Sequence, residues 1–353
     1  MGRMTRTIAA TALSLALAGT ASAQDQFHWT MATSWPSGLP PQLMAEMFAE
    51  KVETMSDGRL TIDVQPSGAV VGAFDVLDAA STGTVEMGHS IASYWIGKHQ
   101  AAPFFGAIPM AFESDQYMTW LYEAGGNELW NRLYQDELGL NVVVMPGGIN
   151  ITEYLAWSRR PLREVEDFEG LRYRTVGWWG EILREMDVAV TTMPAAELYT
   201  SLERGVLDAT EFASPWIDRI LAFYEVVDYT SGPGMHQPAS MMELSVNKDA
   251  YESLPPDLQA IVDTAAEAVT LRSLTMDYHH SLEAHEYFQD HNEFVEVSDE
   301  AQHAFREQAW AYLDDQAEQD PFFAEVWDSV RDYYLRLNEF DSFILPVRAE
   351  TEE

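Results

Sequence analysis

The chain has 353 residues, 20 basic against 57 acidic side chains for a formal charge of −37, and no cysteine. Its length allows one large domain or two ordinary ones, and 47% hydrophobic content excludes a disordered acidic tail. Zero cysteine excludes disulfides, thiolate catalysis and Cys-zinc sites, and a pI near 4.3 leaves too little basic surface for nucleic acid or anionic lipid.

Arg3 and Arg6 precede an apolar run over 8–18 and the small-residue site Ala21-Ser22-Ala23. This pattern predicts a Sec-type signal peptide over 1–23 and a periplasmic mature chain from Gln24. The two arginines are not adjacent, which argues against a twin-arginine signal. No later stretch approaches the roughly 20 apolar residues a membrane span needs.

Phe27 to Thr33 reads as a strand. Pro40 and Pro41 open a helix with Leu43, Met44, Met47, Phe48 and Val52 on one face. Asp57-Gly58 turns the chain into a strand over 60–64. A short helix over 76–80 and a strand over 84–89 complete a β-α-β-α-β order, which predicts an α/β fold with parallel pairing. Ala79 to Glu86 and Ser201 to Asp208 repeat one device: a helix end, a glycine (Gly83, Gly205), two residues, then an acid. Two lobes of similar design would produce it, as would the general likeness of helix ends.

Pro146-Gly147-Gly148 follows an apolar strand over 141–145, and Ser231-Gly232-Pro233-Gly234 follows a helical stretch around 222–227. Read as two crossovers, these clusters predict a hinge and a cleft that closes. The lobes then divide as 24–147 plus 233–270 for lobe I, and 148–232 plus 271–353, with the C-terminal helices, for lobe II. From Pro256 to about Phe288 no proline or glycine interrupts an apolar stripe of Leu258, Ile261, Val262, Ala265 and Val269. A helix of roughly 45–50 Å follows at 1.5 Å per residue, long enough to brace both lobes. The aromatic-rich helical tail over 298–337 either packs on the second lobe or forms a homodimer interface.

Signals for catalysis are poor. Gly88-His89-Ser90-Ile91-Ala92 has Ala where a hydrolase elbow needs its second Gly. His279, His280, His285 and His291 lack zinc-helix spacing. The informative strand is 171–176. Arg174 is one of few cations and stands just before Gly177 and the pair Trp178-Trp179. A guanidinium fork matches a carboxylate, and aromatic walls would keep water away from the pair. A structural ion pair with one of the many acids is the other reading of that arginine. Glu211 sits in an apolar and aromatic run, where a carboxylate needs a partner or a cation. Glu153 and the loop around Gln237 lie next to the crossovers.

Taken together, Ser34-Trp35-Pro36, Gly88-His89-Ser90 with Ser93-Tyr94-Trp95, residues 167–174, the run from Leu202 to Glu211, and residues 232–238 resemble the extracytoplasmic solute-binding subunit of TRAP transporters. The branch they resemble binds 2-oxo and 2-hydroxy monocarboxylates. The resemblance implies a two-lobed periplasmic binding protein fold, a small organic acid as ligand, membrane-embedded TRAP permease subunits as partners, and no enzyme activity. It places Glu153, Arg174, Tyr94 and Trp178 against the ligand. It gives a bridging Na⁺ or Ca²⁺ to Glu211, the Phe212 carbonyl and Gln237, with Glu153 at a fourth position, and implies no catalytic cofactor. Gln and Glu stand exchanged at positions 153 and 237 relative to the branch pattern, with the summed charge unchanged. Two readings compete with this: a receptor for a dicarboxylate, sulfonate or zwitterion, and a secreted metal-dependent enzyme using Glu153 or Glu211 as base.

Overall fold

The computed structural model describes residues 25–346. The expected signal peptide lies outside the described residues, and no helix among the described residues is long and apolar enough to cross a membrane.

The strands are β1 (Phe27–Thr33), β2 (Leu60–Gln65), β3 (Met87–Ile91), β4 (Val142–Asn150), β5 (Ala156–Ser158), β6 (Arg172–Arg174), β7 (Ala189–Thr191), β8 (Ala209–Thr210), β9 (Tyr229–Gly232), β10 (Ser240–Asn247) and β11 (Glu293–Glu296). The α-helices are α1 (Pro40–Met55), α2 (Val76–Ser81), α3 (Ser114–Glu123), α4 (Gly126–Arg132), α5 (Gly177–Glu185), α6 (Ala195–Glu203), α7 (Pro215–Leu221), α8 (Lys248–Ser253), α9 (Pro256–Gln289), α10 (Asp299–Gln319) and α11 (Pro321–Ile344). They build two sheets, one per lobe. Lobe I has the order β2-β1-β3-β10-β4 and lobe II the order β11-β9-β5-β8-β6-β7. As the β-α-β-α-β pattern requires, β1 runs parallel to both β2 and β3. The repeated device is real in both lobes: Gly83 and Gly205 each take a left-handed φ, of 71° and 67°, just past α2 and α6. A side chain there would strain the turn.

The chain passes between the sheets at 151–155 and again at 233–239. Gly234 shows how tightly these segments run together, because a Cβ on it would sit 1.8 Å from the Glu153 carbonyl oxygen. The Pro146-Gly147-Gly148 cluster is not the crossover. It lies inside β4, which continues to Asn150. Pro146 has no N–H for the ladder, so the pairing with β10 shifts register between Met242 and Glu243 and then resumes. The strand predicted at 84–89 begins later, at Met87, and past Gly205 the chain forms only the two-residue strand Ala209–Thr210.

α9 has 34 residues, about 51 Å at 1.5 Å per residue. It buries Leu258, Val262, Ala265 and Val269 in its first half, and Ala284 and Phe288 in its last turns. The tail is two helices broken before Pro321. α10 lies on α5. α11 packs instead on α3 and α4, where Arg132 pairs with Glu325 at 2.6 Å and the Trp120 indole donates to Ser329 Oγ at 3.1 Å. The tail therefore touches helices that follow the first three strands of lobe I as well as lobe II.

Candidate functional site

A small cavity of about 20 Å³ lies where the lobes meet. Its lining includes Trp35, Pro41, Ile91, Tyr94 and Met242 from lobe I, and Arg174, Val176, Phe212 and Ala213 from lobe II. Asn150, Glu153, Gln237 and Ser240 come from the crossovers and the strand ends beside them. A larger groove of about 730 Å³ opens between α1 and α9, but it is lined by Met47, Met55, Leu271 and scattered surface charges without converging buried donors. The smaller cavity has the chemistry: buried charges of both signs within an apolar shell.

Arg174 is 1% exposed and ends β6. Its Nε donates to the Met193 carbonyl at 3.1 Å, and Nη1 donates to the carbonyl and Oε1 of Glu211 at 3.0 and 3.2 Å. Nη2 is buried with no hydrogen-bond partner in the protein. The full fork imagined from sequence is therefore divided. One edge fastens Arg174 to Glu211, and the remaining nitrogen is the donor left for an anion. The structural ion pair offered by the sequence is formed with Glu211, and one guanidinium nitrogen stays without a protein partner. Arg172, two residues earlier, is exposed and pairs with Asp208, the acid of the repeated device, at 2.5 Å.

Glu211 and Glu153 are both buried and are shifted in opposite directions. Burial alone would raise Glu211, but the Arg174 guanidinium and His236 outweigh it and hold the carboxyl below its ordinary range. Glu153 has no arginine partner among the described residues. Burial and the Glu211 charge push it well above the ordinary range. Ser240 Oγ lies 2.7 Å from Glu153 Oε1 and 3.1 Å from Gln237 Oε1, and Gln237 Nε2 donates to Glu211 Oε2 at 3.2 Å. Tyr94, next to Arg174, has its phenol pushed up to about 12, mainly by burial, and remains a neutral hydroxyl.

His236 stands in the loop around Gln237, and the sequence gives it no role. It is fully buried, and its Nε2 lies 3.7 Å from Glu153 Oε2 and 3.9 Å from Glu211 Oε2. Both ring nitrogens and Glu153 Oε2 lack hydrogen-bond partners. The loop signal was present, but a lone histidine in an aperiodic segment does not reveal its neighbours.

Trp178 requires a correction. It does not line the cavity. Its ring packs 4.4 Å from Phe104 and 5.6 Å from Phe323, and its indole donates to the Gln100 carbonyl at 2.9 Å. Gly177 starts a helix, where neighbouring side chains point about 100° apart. Trp178 thus turns toward the C-terminal helices, and Trp179 toward His236 at 5.7 Å. The supposed hydrolase elbow is strand β3: Ser90 Oγ shares a hydrogen bond with Ser34 Oγ at 2.7 Å. His89 is buried and lowered to about 4, a neutral ring that accepts from the Trp35 indole at 2.7 Å.

The family model for bacterial extracellular solute-binding proteins, family 7, matches residues 31–320. The chain belongs to that family. Members and relatives are periplasmic solute-binding receptors, and a monocarboxylate 2-oxoacid-binding periplasmic protein of Nostoc sp. is 33% identical over 247 residues, 70% of this chain and 67% of the relative. Two solved structures carry the same fold. One is a TRAP transporter solute-binding protein from Bordetella bronchiseptica, a mixed-occupancy dimer with copurified calcium and picolinate in one site and an apo site. It has 25% identity and a TM-score of 0.87, over 91% of this chain and 95% of that one. The other is a TRAP periplasmic solute-binding protein from Pseudoalteromonas atlantica with bound sodium and pyruvate, at 29% identity and a TM-score of 0.86, over 91% and 97%. The fold is thus the two-lobed periplasmic binding fold expected from the sequence, and both of these structures hold a hard cation together with a small organic acid.

The donor set fits such an ion. Glu153, Glu211 and His236 each offer an atom within 4.8 Å of the others, and Gln237 lies beside Glu211. An oxygen-dominated set of this kind favours a hard cation.

Proposed function

We propose that this protein is a periplasmic receptor for a small 2-oxo or 2-hydroxy monocarboxylate, which it passes to TRAP permease subunits in the membrane. The observation that carries this reading is Arg174: a buried cation with one free donor nitrogen in a closed interlobe cavity. Arg174 takes the carboxylate, Tyr94 offers a hydroxyl beside it, and Trp35, Ile91 and Met242 enclose the apolar remainder. Glu153, Glu211, the Phe212 carbonyl and Gln237 hold Na⁺ or Ca²⁺. When bound, the ion neutralises the paired carboxylates and bridges them to the ligand. A dicarboxylate fits less well, because the lobe I lining supplies no cation for a second charge.

Export through the signal peptide over 1–23 belongs to this reading, as does the absence of turnover. In this reading the lobe boundaries lie at the 151–155 and 233–239 crossovers, with α9 shared, and closure pivots there; the strand order of the two sheets supports it. The exposed Phe340, Phe343, Ile344 and Leu345 at the end of α11 support a homodimer, checked by sedimentation of the full chain against Phe343→Glu.

The deciding experiment is calorimetric titration of pyruvate into chelator-treated protein, followed by add-back of Ca²⁺ or Na⁺. Binding restored by the ion, with the acid recovered unchanged by mass spectrometry after denaturation, is the expected result. Binding indifferent to the ion removes the bridging cation, and conversion of the acid removes the receptor reading.

A further inference from the structure

The long helix α9 carries a row of polar residues that its bracing role does not require. Ser273, Asp277 and Ser281 recur every four residues on one side, and all three are buried. Each reaches out of the helix to a segment of the candidate site. Ser273 Oγ accepts the Ile149 N–H at 2.8 Å, and Ser281 Oγ accepts the Trp216 N–H at 3.2 Å. Asp277 stands between them. Its Oδ2 accepts the Ile151 N–H at 2.9 Å, while Oδ1 accepts the hydroxyls of Ser214 and Ser281. Ile151 lies two residues before Glu153, and Ser214 three residues after Glu211.

We propose that Asp277 is a positioning residue for ligand and ion binding: one buried carboxylate clasps the loop bearing Glu153 and the loop bearing Glu211 and fixes their spacing. The proposal rests on the reading of those two glutamates as the ligand-holding pair. Its physical basis is that Glu153 precedes β5 and Glu211 follows β8, and these strands pair over only two residue pairs, Trp157 with Thr210 and Ser158 with Ala209. So short a ladder leaves the spacing of the two loops to a further tie. A buried carboxylate accepting from an amide and two hydroxyls is a strong, directional tie. Because α9 also packs along both lobes, the clasp links site geometry to the brace.

The test uses Asp277→Asn in the full mature chain. Asparagine keeps the shape but turns an acceptor into a donor facing the Ile151 N–H or Ser214. Hydrogen exchange on ligand-free protein should accelerate tenfold or more over both 148–155 and 211–217, with 60–65 unchanged. Affinity for pyruvate in the presence of Ca²⁺ should fall at least tenfold. Val262→Ala, a cavity variant elsewhere on α9, separates positioning from plain loss of stability: it should lower the melting temperature yet bind within twofold of the parent. Should Asp277→Asn fail to fold, Ser214→Ala and Ser281→Ala replace it, with faster exchange over 211–217 and weaker binding expected. Affinity of the clasp variant within twofold of the parent, acceleration of only one loop, or an equal affinity loss in Val262→Ala would overturn the inference. If the parent binds neither pyruvate nor Ca²⁺, the proposed function fails instead, and the two-loop exchange result alone decides the clasp.

Discussion

Glu243 in lobe I and Glu211 in lobe II are both fully buried carboxylates at the ends or centres of strands facing the middle of the molecule. Glu243 is held by neutral donors, the Trp95 indole at 2.9 Å and the Tyr134 hydroxyl at 2.6 Å, and burial raises it to about 7. Glu211 has Arg174 at 3.2 Å and is lowered. Desolvation is common to both, so the partner decides the charge. Lobe II therefore owns the fixed charges of the site, and lobe I presents Trp35, Pro41, Ile91 and Met242. On the proposed function, this division gives lobe II the ligand's head group and lobe I its apolar part.

The sharpest way to break the contrast is to weaken the lobe II anchor. Arg174→Lys keeps the charge but cannot reach Met193, Glu211 and a ligand together. A cost on the order of 2–4 kcal/mol in ligand affinity is expected. Calorimetry reads it directly, and a loss below twofold would mean that the anchor lies elsewhere.

The lobe I carboxylate gives the next effect, in stability rather than binding. Glu243 is raised to about 7 when folded, so the native state keeps a proton that the unfolded chain releases above its ordinary value of 4.5. Its favourable term is fully present below that value and is lost as pH rises through about 7. The span amounts to about 3 kcal/mol at most, at 1.36 kcal/mol per pKa unit. Glu243→Gln should flatten denaturant-measured stability between pH 5 and 8, whereas a profile as steep as the parent's would assign the slope to other groups.

A smaller effect sharpens the division of labour. Ile91→Ala removes part of the lobe I lining. It should weaken a branched aliphatic 2-oxo acid by about 1–2 kcal/mol, the usual scale for lost apolar contact. Pyruvate should be nearly unaffected, and equal losses for both acids would contradict an apolar role for that wall. The least effect on binding belongs to Trp178→Phe. The ring packs on Phe104 and Phe323 behind the site, so the melting temperature should fall while affinity stays within twofold. A large affinity loss would return Trp178 to the ligand shell.

Local pattern determined much of this molecule. The 3.6-residue apolar periodicity of α1 and α9, the left-handed glycines after α2 and α6, and the β-α-β-α-β opening are set by forces acting over a few residues. They were legible without any neighbour. So was the weight of Arg174, because a cation is rare in a chain of charge −37 and cannot be buried idly. Tertiary structure decided what depends on distant partners. Pro146-Gly148 reads as a turn in isolation, and only pairing with β10 makes it an irregularity inside a strand. Trp178 and Trp179 are adjacent letters that the first turn of α5 sends to different places. The opposite shifts of Glu153 and Glu211, the orphaned ring of His236 and the two-loop grip of Asp277 join residues 58 to 126 positions apart. Burial converts such meetings into electrostatics, and no local pattern encodes which chain segments will be buried together.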